Sequence, residues 1–165
     1  MGPEHLGELV DRHAAALALY ARQWCASPDD VVQTAFLKLV RLRTPPENVL
    51  PWLYTVVRNG AIDASRAARR RHKYEAAAAD HAPHWFAPPD DPTGLDARAA
   101  AAALATLPAE TREIIVAHLW GGLTFEQVAV AVGSSAATCY RRYAAGLGAL
   151  RKQLGAECPT TPTTR

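Results

Sequence analysis

The chain has 165 residues, of which 49% are hydrophobic and 21% charged, and its formal net charge is +2. This is the composition of a globular protein with room for one ordinary domain or two small ones. The net charge is too small to indicate a polyanionic partner by itself, and no apolar run approaches the ~20 residues that a membrane span needs, so we expect no membrane insertion.

Residues that could carry out chemistry are scattered along the chain. Cys25, Cys139 and Cys158 are odd in number, far apart and without Cys-x-x-Cys or Cys/His spacing, which argues against disulfides and zinc and favours a reducing, cytoplasmic setting. The sequence "MGPEHLGELV" lacks the pattern of a signal peptide. No nucleophile–base set, phosphate-binding glycine loop or metal-ligand spacing is present, so we expect a non-enzyme with no cofactor and no metal.

Abundant alanine and few β-branched runs predict an all-α fold. A first helix is predicted from His5 to about Trp24. A second begins after Ser27, where the serine can cap and Pro28 fits the first helical position. The loop "RTPPENVLP" follows, and its last proline, Pro51, is predicted to open a third helix that runs to about residue 79.

The second half of the chain repeats this helical character after a break. Residues 80–94 contain four prolines and three acids, which predicts a flexible acidic linker. Four helices are predicted beyond it, the first over 95–106, and the tail 155–165 is predicted to be disordered. The sequence therefore predicts two small helical modules, 1–79 and 95–154. Basic residues concentrate in each module, between Arg58 and Lys73 and between Arg141 and Lys152, which suits two contacts with one polyanion.

The strongest local motif is a helix-turn-helix in the second module. Thr124 and Gln127 form a capping-box pair that predicts a helix start at Phe125. Gly133 is predicted to end that helix, and Ser134 or Ser135 to cap the next. In this motif the start of the second helix enters the major groove, where the following residues are suited to contact DNA: Ser135, Thr138, Tyr140, Arg141 and Arg142. An ordinary helical hairpin with solvated arginines would show the same pattern. Cys139, Tyr143 and His118 are predicted to be packing residues rather than groups that carry out chemistry.

The third helix carries two faces when it is drawn at ~100° per residue. One face is apolar and is predicted to pack on the first two helices, through Leu53, Val57, Ala61, Ala64 and Ala68. The other face is polar and consists of Trp52, Asn59, Asp63, Arg66 and Arg70. Its aromatic end is suited to stacking with bases, and its arginines are suited to binding phosphates. The alternative is that Trp52 covers the core and the arginines are a solvated helix end.

These motifs, in this order, resemble the extracytoplasmic-function (ECF) group of sigma factors in the sigma-70 family. "DDVVQTAFLKLVR" is similar to region 2.2, "WLYTVVRNGAIDASRAARRR" to regions 2.3 and 2.4, and "LPAETREIIVAHLWGGLTFEQVAVAVGSSAATCYRRYAAGLGALR" to region 4. The resemblance implies a sigma factor that binds core RNA polymerase and directs it to promoter DNA. It also leaves room for an anti-sigma factor that would hold both modules.

The resemblance also implies roles for particular residues. Region 2.2 would dock on the β′ clamp through Asp30, Gln33, Phe36, Leu37 and Arg41, and region 4 would meet the β flap. The polar face of the third helix would read the −10 element, and the second helix of the helix-turn-helix the −35 element. Thr34 stands where the group usually has glutamate. Two other functions therefore stay open: a DNA-binding regulator that never engages polymerase, and a helical protein-interaction module.

Overall fold

The computed structural model describes residues 3–74 and 95–157. These parts of the chain contain helices and no strands, so the predicted all-α class is confirmed. None of the described helices is long and apolar enough to cross a membrane. The helices are α1 (Pro3–Ala21), α2 (Pro28–Arg41), α3 (Val49–Tyr74), α4 (Leu95–Thr106), α5 (Ala109–Leu119), α6 (Phe125–Val132) and α7 (Ala136–Glu157).

Helices α1, α2 and α3 form the first module. Pro28 is the first residue of α2, as predicted, and its missing N–H costs nothing there because the first turn has no intrahelical acceptors. Ser27 occupies the N-cap position but makes no side-chain capping hydrogen bond, so the prediction that its hydroxyl caps α2 is wrong. The acids Asp29 and Asp30 lie in the first turn, at the positive end of the helix dipole.

The start of α3 also differs from the prediction. The helix begins at Val49, two residues before Pro51, and the Trp52 N–H already donates to the Asn48 carbonyl at 3.3 Å. Proline is tolerated at the third position for the same reason as at the first, since that N–H would have no partner within the helix. The predicted end of α3 near residue 79, the linker and residues 158–165 lie outside the described residues.

The predicted buried face of α3 is confirmed along most of its length. Leu53, Val57 and Ala61 have no exposed surface, and Ala64 and Ala68 are half-buried. Burial therefore decreases from the middle of α3 towards its arginine-rich end. On the polar face of the same helix, Trp52 is half-buried, and the exposed residues are Asn59, Asp63, Arg66 and Arg70.

Helices α4 to α7 form the second module, which packs directly against the first. Helix α4 has the predicted bounds, and α7 continues three residues past the predicted boundary at 154. Helix α6 lies against α3, and α5 against α1. One hydrophobic core consequently runs through both modules, from Leu17 and Tyr20 to Ile114 and Val128. The sequence predicted a connecting linker and did not indicate this close packing.

Candidate nucleic-acid and polymerase interfaces

The turn between α6 and α7 has the geometry that the sequence predicts. The Gln127 N–H donates to Thr124 Oγ1 at 3.3 Å, and the Thr124 N–H donates to Gln127 Oε1 at 2.9 Å, which completes the capping box. Gly133 ends α6 with φ 70°, a left-handed conformation that glycine adopts without steric cost. Ser135 then caps α7, because its Oγ accepts the Thr138 N–H at 3.2 Å. The helix-turn-helix is confirmed.

The predicted DNA-reading residues of α7 mostly face solvent. The Ser135 hydroxyl donates to Thr138 Oγ1 at 2.9 Å, and Arg141 donates to the same oxygen at 3.2 Å. These three polar side chains therefore share one exposed hydrogen-bonded group at the start of the helix. Tyr140 is 58% exposed, while the edge of its ring meets Phe125 at a centroid distance of 5.5 Å. Hydrogen-bond donors and an aromatic ring are thus exposed at the same end of α7.

Arg142 is placed differently from its neighbours. Its guanidinium forms a 2.9 Å ion pair with Glu110 at the start of α5, and both side chains remain partly exposed. The sequence separation of 32 residues gave no local signal for this pair. Arg142 therefore joins α7 to α5 within the module, and a phosphate would have to compete with Glu110 for it.

An aromatic cluster fixes the relative position of the helices in this module. The His118 ring stacks on Phe125 with centroids 4.3 Å apart, and its Nδ1 lies 2.7 Å from the Leu123 carbonyl oxygen. Tyr143 meets both rings edge-on. Cys139 is fully buried. The predictions that His118, Tyr143 and Cys139 are packing residues are confirmed.

The polar face of α3 is divided into an open part and a covered part. Asn59, Asp63, Arg66 and Arg70 are exposed, and Arg66 forms a 3.5 Å surface ion pair with Asp63. Trp52, at the other end, is half-buried in an apolar groove of about 480 Å³. We call it the inter-module groove; it is lined by Pro46, Asn48, Pro51, Trp52 and Thr55 on one side and by Glu126, Gln127 and Val130 of α6 on the other.

Helix α2 presents most of its predicted residues to solvent. Asp30, Gln33 and Arg41 are exposed, and Leu37 is 50% exposed although it is apolar. Phe36 is only 7% exposed, because it packs into the core while also lining a groove of about 520 Å³ between α1 and α2. Val40 and Leu42 extend the exposed apolar surface beyond Leu37. Sequence reasoning missed these two, although their position beside Leu37 near the end of α2 was visible.

An ion pair joins the two modules. Arg58 on α3 donates to Glu113 on α5 through Nε at 2.8 Å and through the terminal nitrogen at 3.3 Å. The Glu113 side chain is 4% exposed and that of Arg58 26%. Burial raises the pKa of the Glu113 carboxyl, and the hydrogen bond to Glu113 raises the pKa of Arg58. Arg58 also lies over the Trp24 ring, 5.9 Å from its centroid.

Further contacts surround this ion pair. Arg112 Nε donates to Gln23 Oε1 at 3.3 Å across the same boundary. The Tyr20 and Tyr54 rings meet edge-on at 4.8 Å, and burial raises the pKa of the Tyr54 hydroxyl. Among the described residues no group of three or more His, Cys, Asp or Glu side chains is arranged to hold a metal ion.

Comparison with known proteins defines the class to which this fold belongs. Residues 9–71 match the family model for sigma-70 region 2, and residues 97–150 match that for sigma-70 region 4. The two matches together cover most of the chain and coincide with the two structural modules. The chain therefore belongs to the sigma-70 family.

Its relatives narrow the class further. The chain is 33% identical over 156 residues to the ECF RNA polymerase sigma factor SigL of Mycobacterium tuberculosis, covering 88% of this chain and 86% of SigL. It is also 33% identical over 154 residues to the RNA polymerase sigma factor CarQ of Myxococcus xanthus, covering 90% and 88%. The protein is a sigma factor of the ECF group, whose function is to direct transcription initiation.

A solved structure shows the same fold over nearly the whole chain. The sigma factor RpoE in complex with the anti-sigma factor NepR, from Bartonella quintana, superposes with a TM-score of 0.68 at 21% identity. The superposition covers 95% of this chain and 100% of RpoE. Both modules are thus included in the similarity of fold.

Proposed function

We propose that this sigma factor binds core RNA polymerase through the exposed surface of α2 and reads promoter DNA with both modules. The observation that carries the proposal is the completed helix-turn-helix, in which Ser135, Tyr140 and Arg141 are exposed together with the half-buried Thr138 at the start of α7. This arrangement suits a helix that enters the major groove of a −35 element. Arginine can donate two hydrogen bonds to guanine, and hydroxyls can hold phosphates.

The first module would supply the −10 contact. Asn59, Arg66 and Arg70 are exposed in line on α3, and Asp63 shares that face. Basic side chains suit the phosphate backbone, and Trp52 at the far end suits stacking with an unpaired base. A single helix would then hold the backbone at one end and bases at the other.

The polymerase contact would be made by α2, with the β′ clamp as the docking partner and the β flap as the partner of region 4. Leu37, Val40 and Leu42 expose apolar surface next to Arg41, and Asp30 and Gln33 are exposed at the other end of α2. An apolar patch bordered by charged groups is typical of a protein–protein contact. Its place of action would be the cytoplasm, and its role would need no catalysis by the chain itself.

An anti-sigma factor would be a further partner. NepR is bound to RpoE in the solved structure that shares this fold. A regulator of this kind would compete with core polymerase for the exposed α2 surface.

Run-off transcription with core RNA polymerase on genomic fragments tests the proposal. We expect specific transcripts when the protein is added and none from core enzyme alone. A helix-turn-helix regulator without polymerase contact is the alternative, and Thr34 in α2 is the residue that favours it. That alternative would give strong DNA binding without polymerase, no co-purification with core enzyme and no transcripts.

A further inference from the structure

We propose that Glu110 keeps Arg142 out of contact with DNA: the ion pair between them persists in the promoter complex, so that of the two adjacent arginines only Arg141 binds DNA. This inference rests on the proposed function, since it concerns the helix-turn-helix surface. It deepens that function by assigning to Glu110, which lies outside α7, a role in setting the affinity of the chain for the DNA backbone.

The ion pair lies where α5 and α7 are packed closely together. Glu110 is in the first turn of α5, and its carboxylate is 2.9 Å from the Arg142 guanidinium on α7. One turn further along α7, a Cβ at Gly146 would be only 2.6 Å from Thr111 Cγ2 and 2.8 Å from Ile115 Cδ1. The close approach of the two helices therefore holds the carboxylate and the guanidinium next to each other.

Arg141 and Arg142 differ in the charge of their partners. Arg141 donates to the neutral hydroxyl of Thr138 at 3.2 Å, so this contact leaves its positive charge uncompensated. The charge of Arg142 is compensated by the carboxylate of Glu110, and hydrogen bonds to ionised groups are about twice as strong as those between neutral groups. A phosphate consequently meets one arginine that keeps its charge and one whose charge is already balanced.

Exchange of Glu110 for a phosphate would bring Arg142 little gain. Arg142 would give up one charged partner to bind another, so the attraction that it loses offsets most of the attraction that it gains. The carboxylate left behind would be close to the phosphate that replaced it, well within the ~8–10 Å over which charges act at ordinary salt concentrations, and would repel it. Both effects favour a promoter complex in which Arg142 stays paired with Glu110.

The pairing limits binding that does not depend on DNA sequence. Phosphates are alike at every site, so a contact with them strengthens binding to unrelated DNA as much as binding to a promoter. Arg141 remains available to a base edge, where the contact does depend on sequence. Glu110 therefore keeps the affinity for unrelated DNA low without a loss at the base-reading position.

A double-mutant cycle tests the inference. Glu110→Gln, Arg142→Gln and the double variant are prepared in the full chain and assembled with core polymerase into holoenzyme. Fluorescence anisotropy measures binding to a labelled duplex that carries a promoter mapped by run-off transcription, and to an unrelated duplex of the same length, over about 50–200 mM potassium chloride. Circular dichroism establishes that each variant keeps its helices, which we expect because an ion pair this exposed contributes little to stability.

We expect Glu110→Gln to free Arg142 for one additional phosphate contact on both duplexes. The slope of the logarithm of the binding constant against that of the salt concentration should become steeper by about 0.9, so the gain in affinity should shrink roughly threefold across the salt range. In the Arg142→Gln background, Glu110→Gln should leave the slope unchanged, because the guanidinium through which it acts is missing. Wild type and the double variant have the same net charge, and their slopes should agree.

Two results would overturn the inference. One is a double variant whose slope is shallower than that of wild type by about 0.9, which would mean that Arg142 contacts a phosphate in the wild-type complex. The other is an effect of Glu110→Gln on the slope that is absent, or that is equally large in the Arg142→Gln background, since Glu110 would then not act through Arg142. Failure of the wild-type holoenzyme to bind or initiate at any promoter is a different result, and it would count against the proposed function.

Discussion

Gly121 approaches the hydroxyl of Tyr54 so closely that any side chain at position 121 would overlap with it. The two residues belong to different modules, and Gly121 lies two residues beyond the end of α5 at Leu119. A Cβ there would also meet the carbonyl oxygen of Ala117. The absence of a side chain at 121 is therefore what allows the second module to approach Tyr54, whose ring packs on Tyr20 in the first module.

We expect Gly121→Ala to lower the free energy of unfolding by about 1–3 kcal/mol, because the added methyl overpacks a filled boundary. Gly148 is the matched control: it lies inside α7, and a Cβ there would meet no atom within 4 Å. Gly148→Ala should stabilise the chain by about 0.5–1 kcal/mol through reduced backbone entropy of the unfolded state. Urea unfolding measures both, and equal effects from the two substitutions would contradict the assigned contact.

The capping box gives a second prediction with its own control. Thr124→Ala removes the oxygen that accepts the Gln127 N–H and should cost about 1 kcal/mol. Ser27 occupies the same position at the start of α2 but makes no capping bond, so Ser27→Ala should change stability by less than about 0.5 kcal/mol. Thermal unfolding followed by circular dichroism compares the two. A loss at Ser27 as large as that at Thr124 would show that its hydroxyl caps α2 in solution.

These two caps also show which parts of the structure were predictable from the sequence. The box at Thr124 and the left-handed turn at Gly133 depend on residues three to nine positions apart, so local rules were sufficient. The Ser-Pro sequence at Ser27 predicted a helix cap equally well, but the Ser27 hydroxyl makes no capping hydrogen bond. Sequence patterns identify a suitable residue at a cap, whereas the hydrogen bond depends on the exact backbone angles.

The contacts between the modules could not be predicted by the same reasoning. Arg58 and Glu113 are 55 positions apart, and each is unremarkable in its own helix. Glu113 lies next to a run of buried apolar residues in α5. A helical-wheel projection alone could therefore not show which residue the Glu113 carboxylate contacts. Most of the residues proposed to contact DNA are exposed, as the sequence predicted, but the sequence could not show that Glu110 pairs with Arg142 or that α6 lines the same groove as Trp52.

The buried carboxyl of Glu113 predicts a pH dependence. Burial raises its pKa above the ordinary value of 4.5, and the hydrogen bond from Arg58 offsets this only in part. A carboxyl with a raised pKa in the folded state binds its proton more tightly there than in the unfolded chain, so its contribution to stability grows as pH falls from above the folded pKa towards 4.5.

The measurement compares wild type with Glu113→Gln, which cannot titrate. We expect the stability of wild type relative to Glu113→Gln to increase as the pH is lowered through the mildly acidic range, in urea unfolding at a series of pH values. The opposite slope would mean that the attraction of Arg58 outweighs the cost of burial. In that case the ion pair would stabilise the packed state directly.

Arg141 provides the test of the helix-turn-helix surface. Its guanidinium is exposed and bonded only to the Thr138 hydroxyl among the contacts described, so it is available to a base or a phosphate. With holoenzyme assembled from core polymerase, we expect Arg141→Ala to weaken promoter binding by about 1–3 kcal/mol, measured by fluorescence anisotropy. Arg12→Ala removes the same charge from an exposed position on α1 and is the control. Equal losses would indicate a general charge effect.

Leu37 and Leu39 separate a binding role from a folding role within one helix. Leu37 is 50% exposed on α2, whereas Leu39 is 2% exposed and packs in the core. Leu37→Ala should therefore change the free energy of unfolding by less than about 0.5 kcal/mol, and Leu39→Ala should cost about 2–5 kcal/mol.

Affinity for core polymerase should depend on Leu37 and hardly at all on Leu39, which is the reverse of their effects on stability. An exposed apolar side chain at the centre of an interface loses its contact when it is truncated, so Leu37→Ala should weaken core binding by about 1–2 kcal/mol. Leu39→Ala, studied at a temperature where it stays folded, should bind core enzyme nearly as wild type does, because its side chain does not reach the surface. Biolayer interferometry with immobilised core enzyme gives both values. Unchanged binding by Leu37→Ala would mean that the Leu37 side chain is not part of the polymerase contact.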